Sequence, residues 1–441
     1  MLSDGRGSEP GALTVEAGAQ ERVATANAAV EPPSRCPRRA KAAKGVPGTL
    51  GSWIRLEDLW AEPFRLFFPL ALLAGVCGVM IWPFVLWGWA DTPPSVPHTR
   101  LMALGFMGGF VLGFLGTSVP RLLDARPLGR GETVTTLSLH ALACAFYLFN
   151  WGRGGDIAMA FNVVFFAGIL ILRVPTRKSL PAPSFLLLAP ALGALLAGLV
   201  MAELSRRAVW SQHADVLSRL LMYHAFLLLS VLGAGAFLLP RFLGLGLRRK
   251  YQTEGRIEGA WARSAVIALA LAGGVLATYL IDVLVSSAVG SSIRAALVIG
   301  YLAWEMPLER LRFSREGVDW ILVLGLLSVP IGMLAAGWRP IHRVALSHIE
   351  LAGGMGMITL GVATRVAFGH TGNRALLKRF HPWLTAAAVL MILGYLSRIA
   401  GEMMPRLLVS HYIYGGLCWA LGGVIWACCV LRHILKPDPE A

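Results

Sequence analysis

The sequence predicts an all-α integral membrane protein with about twelve transmembrane helices. Three observations support this fold class. Hydrophobic residues make up 56% of the 441 positions and charged residues only 15%, and the mean hydropathy is +0.63. Soluble domains carry roughly a quarter charged residues and do not sustain such hydropathy over hundreds of positions. The lipid bilayer is therefore the first expected partner of the chain.

The N-terminal region differs in composition from the rest of the chain. Residues 1 to about 55 are rich in Gly, Ala, Glu, Pro and Arg, lack apolar periodicity and carry a basic patch at 38–44. This composition predicts a disordered cytoplasmic tail. No apolar core follows closely on a charged N-terminus, so no cleavable signal peptide is expected.

From Trp60 onward, apolar runs of spanning length recur along the chain. We predict a transmembrane domain over 60–435 and a short cytoplasmic tail at 436–441. Two runs are short, and Glu305, Met306 and Pro307 interrupt the second of them, so either is expected to be tilted or partly buried. The short runs are 157–172 and 295–308; the others are 66–90, 101–119, 133–151, 184–203, 217–239, 264–286, 318–337, 344–364, 383–400 and 411–431.

The basic residues are distributed as topology signals. The formal net charge is +15, but Lys and Arg lie between apolar runs rather than on one soluble face, so no nucleic-acid partner is expected. Connections after even-numbered spans hold nineteen Lys and Arg, and those after odd-numbered spans hold ten. This bias predicts that both termini are cytoplasmic, with His370 on the cytoplasmic side and His348 towards the outer side.

Spans two, six and ten look related, which suggests three pseudo-repeats. His348 and Arg365 in span ten are seventeen residues apart, and so are His224 and Arg241 in span six. Glycine pairs eight residues apart occur in spans two and ten, and superimposing them places Arg100 on His348. We therefore predict that the three spans occupy equivalent places in the fold.

The stretch 346–373 carries the most specific motif in the chain. His348 lies near its start, in a glycine-rich apolar run, and the stretch ends in Thr-Arg-Val and Gly-His-Thr-Gly. Together with Pro-Phe-Arg at 63–65 and a Gly-Phe pair at 105–106, it resembles the signature of the NnrS family. Members of this family are polytopic bacterial membrane proteins associated with haem, copper and the nitric oxide response. The resemblance covers residues 60 to about 435.

The resemblance implies an inner-membrane protein that binds haem, copper or both and takes part in the nitric oxide response or in tolerance of nitrosative stress. Twelve spans with histidines at spans two, six and ten also resemble the haem–copper oxidase catalytic subunit, where histidines of helices two and ten hold a low-spin haem. Span seven contains no histidine, so the oxidase copper site is not expected in its standard form. A turnover enzyme is the least supported class, because neither a nucleophile nor an acid–base pair stands out.

Span two departs from the family pattern. NnrS-like sequences carry His-Ala-His-Glu-Met where this chain has His98-Thr99-Arg100-Leu101-Met102. A guanidinium has no lone pair to donate to a metal, and His98 lies about 200° around an α-helix from Arg100, so it is not expected to take over that direction. The alternative is a metal-free divergent member that acts as a transporter or an accessory or assembly protein. Broken helices near Pro307 and Pro330 would favour transport.

Four residues are predicted to hold a cofactor. His348 is the leading ligand for haem iron or copper, and His224 and His98 are further candidate ligands. Arg365 is a candidate partner for a haem propionate. Each also has a structural interpretation, as a histidine hydrogen-bonded between helices or an arginine reaching the interface. In the functional interpretation, nitric oxide dissolved in the bilayer meets the bound metal.

Other polar residues have mixed interpretations. The acids within spans can relay protons or pair with arginines, and the remaining outer histidines are commonly only solvated; these residues are Asp282, Glu305, Glu350, His213, His342 and His411. The six cysteines show no Cys-x-x-Cys spacing, so they predict neither a disulfide framework nor a thiolate metal site.

Overall fold

The computed structural model describes residues 56–206, 212–249, 251, 257–313 and 317–437. The tail predicted over 1–55 lies outside the described residues, as do positions 438–441 of the predicted C-terminal tail. The described chain is helical and contains no β-strand. This confirms the predicted all-α class.

Twelve long helices follow a short helix at Leu56–Ala61 in the described part of the chain. Eleven of the twelve are long and apolar enough to cross a membrane, and α3, which is richer in threonine, is the exception. Eleven of the twelve predicted spans are thus confirmed as helices able to cross a membrane, and the third is a helix at the predicted place. They are α1 (Phe64–Leu86), α2 (Ser95–Leu122), α3 (Arg130–Leu148), α4 (Gly152–Ile171), α5 (Pro183–Arg206), α6 (Gln212–Phe242), α7 (Gly259–Leu284), α8 (Ser287–Glu305), α9 (Asp319–Trp338), α10 (Pro340–Gly369), α11 (Pro382–Met403) and α12 (Pro405–His433).

The two spans predicted to be short are complete helices. α4 has 20 residues and α8 has 19. Both begin before the apolar run because a charged residue lies inside the helix and is paired: Asp156 of α4 with Arg100, and Arg294 of α8 with Asp282 at 3.0 Å. The bounds predicted from hydropathy left Asp156 and Arg294 outside the spans. Because each is ion-paired, it can lie inside the helix bundle.

The irregular parts of the helices are π-helical turns rather than breaks at proline. α9 continues through Pro330, and α8 ends at Glu305, before Pro307. The π-helical stretches are Leu101–Met107 in α2, Leu220–Ala225 in α6 and Ile349–Gly356 in α10, beginning six, eight and nine residues after the helix start. π-helical turns are rare in proteins overall, and those that occur often lie at functional sites. All three stretches lie near the start of their helices; that the three helices are related stays a prediction.

An aromatic seam fixes α1, α2, α10 and α12 against one another. The rings of Phe68 and Phe110 lie 4.7 Å apart, and those of Phe110 and Trp426 lie 5.8 Å apart. The indole Nε1 of Trp426 donates a hydrogen bond to Thr364 Oγ1 at 2.9 Å, which satisfies both polar groups in the core. This packing holds α2 and α10 beside each other, and both helices carry predicted site residues.

Candidate functional site

A cavity of about 1270 Å³ lies between α1, α2, α4, α5, α6, α10, α11 and α12, near the end at which α2, α6 and α10 begin. His98, His224 and His348 all line it. Three of the four residues predicted to hold a cofactor therefore meet in one cavity, each contributed by one of the helices with a π-helical stretch.

His98 and His348 form a pair across this cavity. Their ring centroids are 6.4 Å apart and their ring planes differ by 22°. Nδ1 of His98 lies 2.9 Å from the carbonyl oxygen of Gly78, and Nδ1 of His348 lies 2.8 Å from that of Val344. Because a carbonyl only accepts, these contacts assign the proton to each Nδ1. Each Nε2 therefore keeps a lone pair that can bind a metal.

Arg100, the residue that the glycine alignment superimposes on His348, turns towards α4 rather than towards His348. Its Nε and Nη2 donate to the two carboxylate oxygens of Asp156 on α4, at 2.7 and 2.8 Å. The side chains of His98 and Arg100 leave α2 in different directions, and the one that meets α10 is His98. From the sequence, His98 is not expected to take over the direction of Arg100, and the two side chains indeed have different partners. Which of them meets α10 is set by tertiary packing, which fixes the rotation of a helix about its axis.

His224 is paired with Glu350 rather than with another imidazole. Its Nδ1 lies 3.2 Å from Glu350 Oε2, and Glu350 is only 3% exposed. A carboxylate that accepts from Nδ1 fixes the tautomer and leaves Nε2 as the free nitrogen. Among the described residues no cluster of three or more His, Cys, Asp or Glu side chains could hold a metal ion. The residues around His224 thus do not provide a three-ligand copper site in this part of the chain.

Arg365 lies near the opposite end of α10. Its guanidinium pairs with Asp319 at the start of α9 and lies 5.0 Å from the ring centroid of Phe242. It is not among the residues that line the cavity. The structure therefore does not bring Arg365 to the three histidines.

Six arginines line the cavity with the histidines, and sequence reasoning did not predict Arg343 or Arg398 among them. Arg398 lies 4.1 Å from the ring centroid of Tyr412, and Arg343 binds Asp282 at 3.1 Å. In the sequence, both count only as topology signals. Their predicted place in the same half of the membrane as His348 was a signal that could have identified them.

The most specific sequence motifs meet at the other end of the bundle. Arg65, 2% exposed, donates to Glu62 Oε2 at 2.6 Å and to the carbonyl of Lys436 at 2.9 Å. Arg121 also pairs with Glu62, and His370 Nδ1 lies 3.2 Å from Glu62 Oε1. Although burial raises the pKa of Glu62, the hydrogen bond with His370 and the charges of Arg121 and Arg65 lower it to about 2. This cluster ties α1, α2, α10 and the C-terminal segment together.

Within the described residues, twelve long helices with facing histidines on the second and tenth define a polytopic membrane protein whose fold is similar to that of a haem–copper terminal oxidase. A solved haem–copper terminal oxidase, determined by cryo-EM as a dimer, has a TM-score of 0.50 and 13% sequence identity, over 86% of this chain and 84% of that chain. At this identity the similarity concerns the fold alone.

The chain belongs to the NnrS family. The family model described as NnrS protein matches residues 58–437. A search of curated proteins found no match. The predicted family and the predicted likeness in layout to haem–copper oxidases are thus both confirmed.

Proposed function

We propose that this chain is a haem protein of the bacterial inner membrane that takes part in the nitric oxide response, and that His98 and His348 would hold the haem iron. The imidazole pair carries this proposal. Each imidazole keeps a free Nε2 and lines the same cavity. The ring centroids are 6.4 Å apart, a spacing that would leave room for one metal ion between them.

The surroundings of the two rings suit a haem. The cavity, about 1270 Å³, exceeds the roughly 300–1,000 Å³ of common small-molecule sites. A Cβ at Gly356 would meet only the carbonyl oxygen of Leu351, at 3.2 Å, so a flat ring has open space beside that backbone. Apolar side chains suit the faces of a macrocycle, and cavity arginines suit its propionates; the lining includes Met102, Phe106, Trp419, Arg343 and Arg398.

The protein's part is to orient the two ligands. The carbonyls of Gly78 and Val344 hold both imidazoles in the ligating tautomer and increase their basicity. A bound haem supplies a one-electron redox centre. Because both imidazoles face the same space, this geometry supports an electron-transfer or sensing role better than an open gas-binding position on His348 alone.

The first experiment is an optical spectrum with haem and copper quantification, on detergent-purified protein from cells supplied with both. We expect a Soret band and one haem per chain in the wild type, with loss of the band in His98→Ala and His348→Ala. His224→Ala is the matched control and should keep the band. A Soret band that survives both substitutions contradicts the ligand assignment, and folded haem-free wild type leads back to a metal-free transporter or accessory role.

The same variants test the nitric oxide role in cells. A strain that lacks the chain should grow more slowly under a nitric oxide donor, and the wild type and His224→Ala should restore growth while His98→Ala and His348→Ala do not. If the wild type and all three variants restore growth equally, nitric oxide tolerance does not depend on the His98–His348 pair.

A further inference from the structure

We propose that the part of the cavity lined by α4, α5 and α6 binds a small oxyanion with two oxygen atoms, such as a carboxylate, with Arg100 as its main contact. This inference goes beyond haem binding, because the groups that carry it are separate from the two imidazoles.

Arg100 is a buried guanidinium held with one edge free. It is 8% exposed, and its Nε and Nη2 are engaged by Asp156. Asp156 is fixed in turn by the Tyr147 hydroxyl at 3.1 Å and by Arg206 Nη1 at 3.0 Å. No described residue accepts a hydrogen bond from Nη1 of Arg100, which lines the cavity. A rigid guanidinium with free N–H groups is the fork that binds an oxyanion in a bidentate way.

Three further arginines surround this part of the cavity, one each from α4, α5 and α6. They are Arg153, Arg206 and Arg219. Within the described ranges, the four guanidinium groups share three carboxylate partners: Asp156, Glu203 and Asp215. One positive charge is therefore left over at a concave wall, where low-dielectric surroundings concentrate the field. The excess matches a single negative charge.

The shape and neutral groups of this wall favour a small ligand. Asn150 and Gln212 offer amide hydrogen bonds, and the Tyr223 side chain also faces the cavity. Gly152 leaves the Arg100 guanidinium uncovered: a Cβ at this glycine would already lie 4.0 Å from Arg100 Cζ. Among the cavity-lining residues that the structure describes, six are arginines and only one, Asp215, carries a carboxylate. A cation would meet repulsion here.

The oxyanion can come from two sources with the same chemistry, namely a free small anion or a propionate of a haem in the cavity. Isothermal titration of full-length protein in lipid nanodiscs with sodium formate, at constant ionic strength, distinguishes them. The titration uses haem-loaded and haem-poor preparations, with haem content read from the Soret band. One formate per chain in both preparations identifies a free anion, and binding only to the haem-poor protein identifies the propionate. Saturable binding in neither overturns the proposal.

Substitutions assign the contact. Arg100→Lys keeps a cation beside Asp156 but loses the planar fork, so formate affinity should fall roughly tenfold or more. Arg219→Gln, which alters a half-exposed side chain, removes the excess charge and should also weaken binding. Arg241→Gln is the control, because Arg241 contacts Phe237 outside the cavity. Unchanged affinity in both Arg100→Lys and Arg219→Gln, or an equal loss in Arg241→Gln, overturns the assignment. Because the Soret band is read on the same samples, failure here is distinct from failure of haem binding.

Discussion

Several charged residues of this protein are buried beside an oppositely charged partner, although hydropathy alone would predict them at the membrane surface. Arg65, Arg100 and Arg294 are 2%, 8% and 4% exposed, respectively, and each binds a carboxylate. A buried charge is costly unless it is paired and hydrogen-bonded. Removing one partner is therefore expected to destabilise the fold far more than removing an exposed pair.

Glu62→Gln tests this expectation at the other end of the bundle from the cavity. The folded pKa is lowered from 4.5 to about 2, so the contribution of the carboxylate to stability is complete above about pH 4.5 and is lost as the pH falls towards 2. The shift corresponds to about 3 kcal/mol. We expect the Glu62→Gln variant to melt several degrees lower at pH 7 and to lack this acid-dependent loss. Tryptophan fluorescence melts in detergent from pH 3 to 7 measure both effects.

Glu309→Gln is the matched control for Glu62→Gln. Glu309 pairs with Arg248 at 2.6 Å, but both side chains are exposed to solvent, at 59% and 43%. Exposed pairs contribute little, so its melting temperature should stay near that of the wild type at pH 7. If the two variants melt alike, the buried cluster around Glu62 does not hold the helix ends together.

At the scale of elements, the contact between α9 and α10 is close enough to depend on glycine. A Cβ at Gly332 would lie 2.2 Å from the backbone nitrogen of Glu350, and one at Gly354 would lie 3.1 Å from the backbone nitrogen of Val329. Small residues at such crossings allow helix backbones to approach in a bilayer. The contact fixes α10 two residues after His348.

Gly332→Ala is expected to force α10 away from α9. The added methyl overlaps backbone atoms that cannot rotate aside, and overpacking of this kind costs typically about 1–3 kcal/mol. We expect a lower melting temperature and a lower haem content, because His348 moves with α10. Gly300→Ala is the control, since nothing lies within 4 Å of its Cβ position. Normal melting and haem content in Gly332→Ala would show that α10 is positioned by other contacts.

At the scale of the whole molecule, the three helices with π-helical stretches are linked by polar pairs near one end of the bundle. α2 meets α10 through His98 and His348, and α6 meets α10 through His224 and Glu350. α2 and α10 each present two polar side chains, two residues apart, towards different partners. These are His98 and Arg100 on α2, and His348 and Glu350 on α10.

The orientation of the bundle in the membrane is the prediction that remains from the charge count. Nineteen Lys and Arg against ten in alternate connections predict that both termini lie in the cytoplasm. A C-terminal green fluorescent protein fusion should fluoresce, and alkaline phosphatase fused after α1 or α9 should be active. An active phosphatase at the C-terminus would contradict the predicted orientation. It would mean that the C-terminus lies outside and that the cavity is on the cytoplasmic side.

The sequence by itself determined the class of fold, the number and order of the helices, the family, and three histidines of the cavity. These follow from hydropathy, period and motif, which are properties of short stretches of chain. Only the tertiary structure decided that His98 rather than Arg100 faces His348, that Arg343 and Arg398 line the cavity while Arg365 does not, and that α4 and α8 are full spans. The physical reason is that helix rotation and ion pairing depend on neighbours distant in sequence, so no local pattern records them.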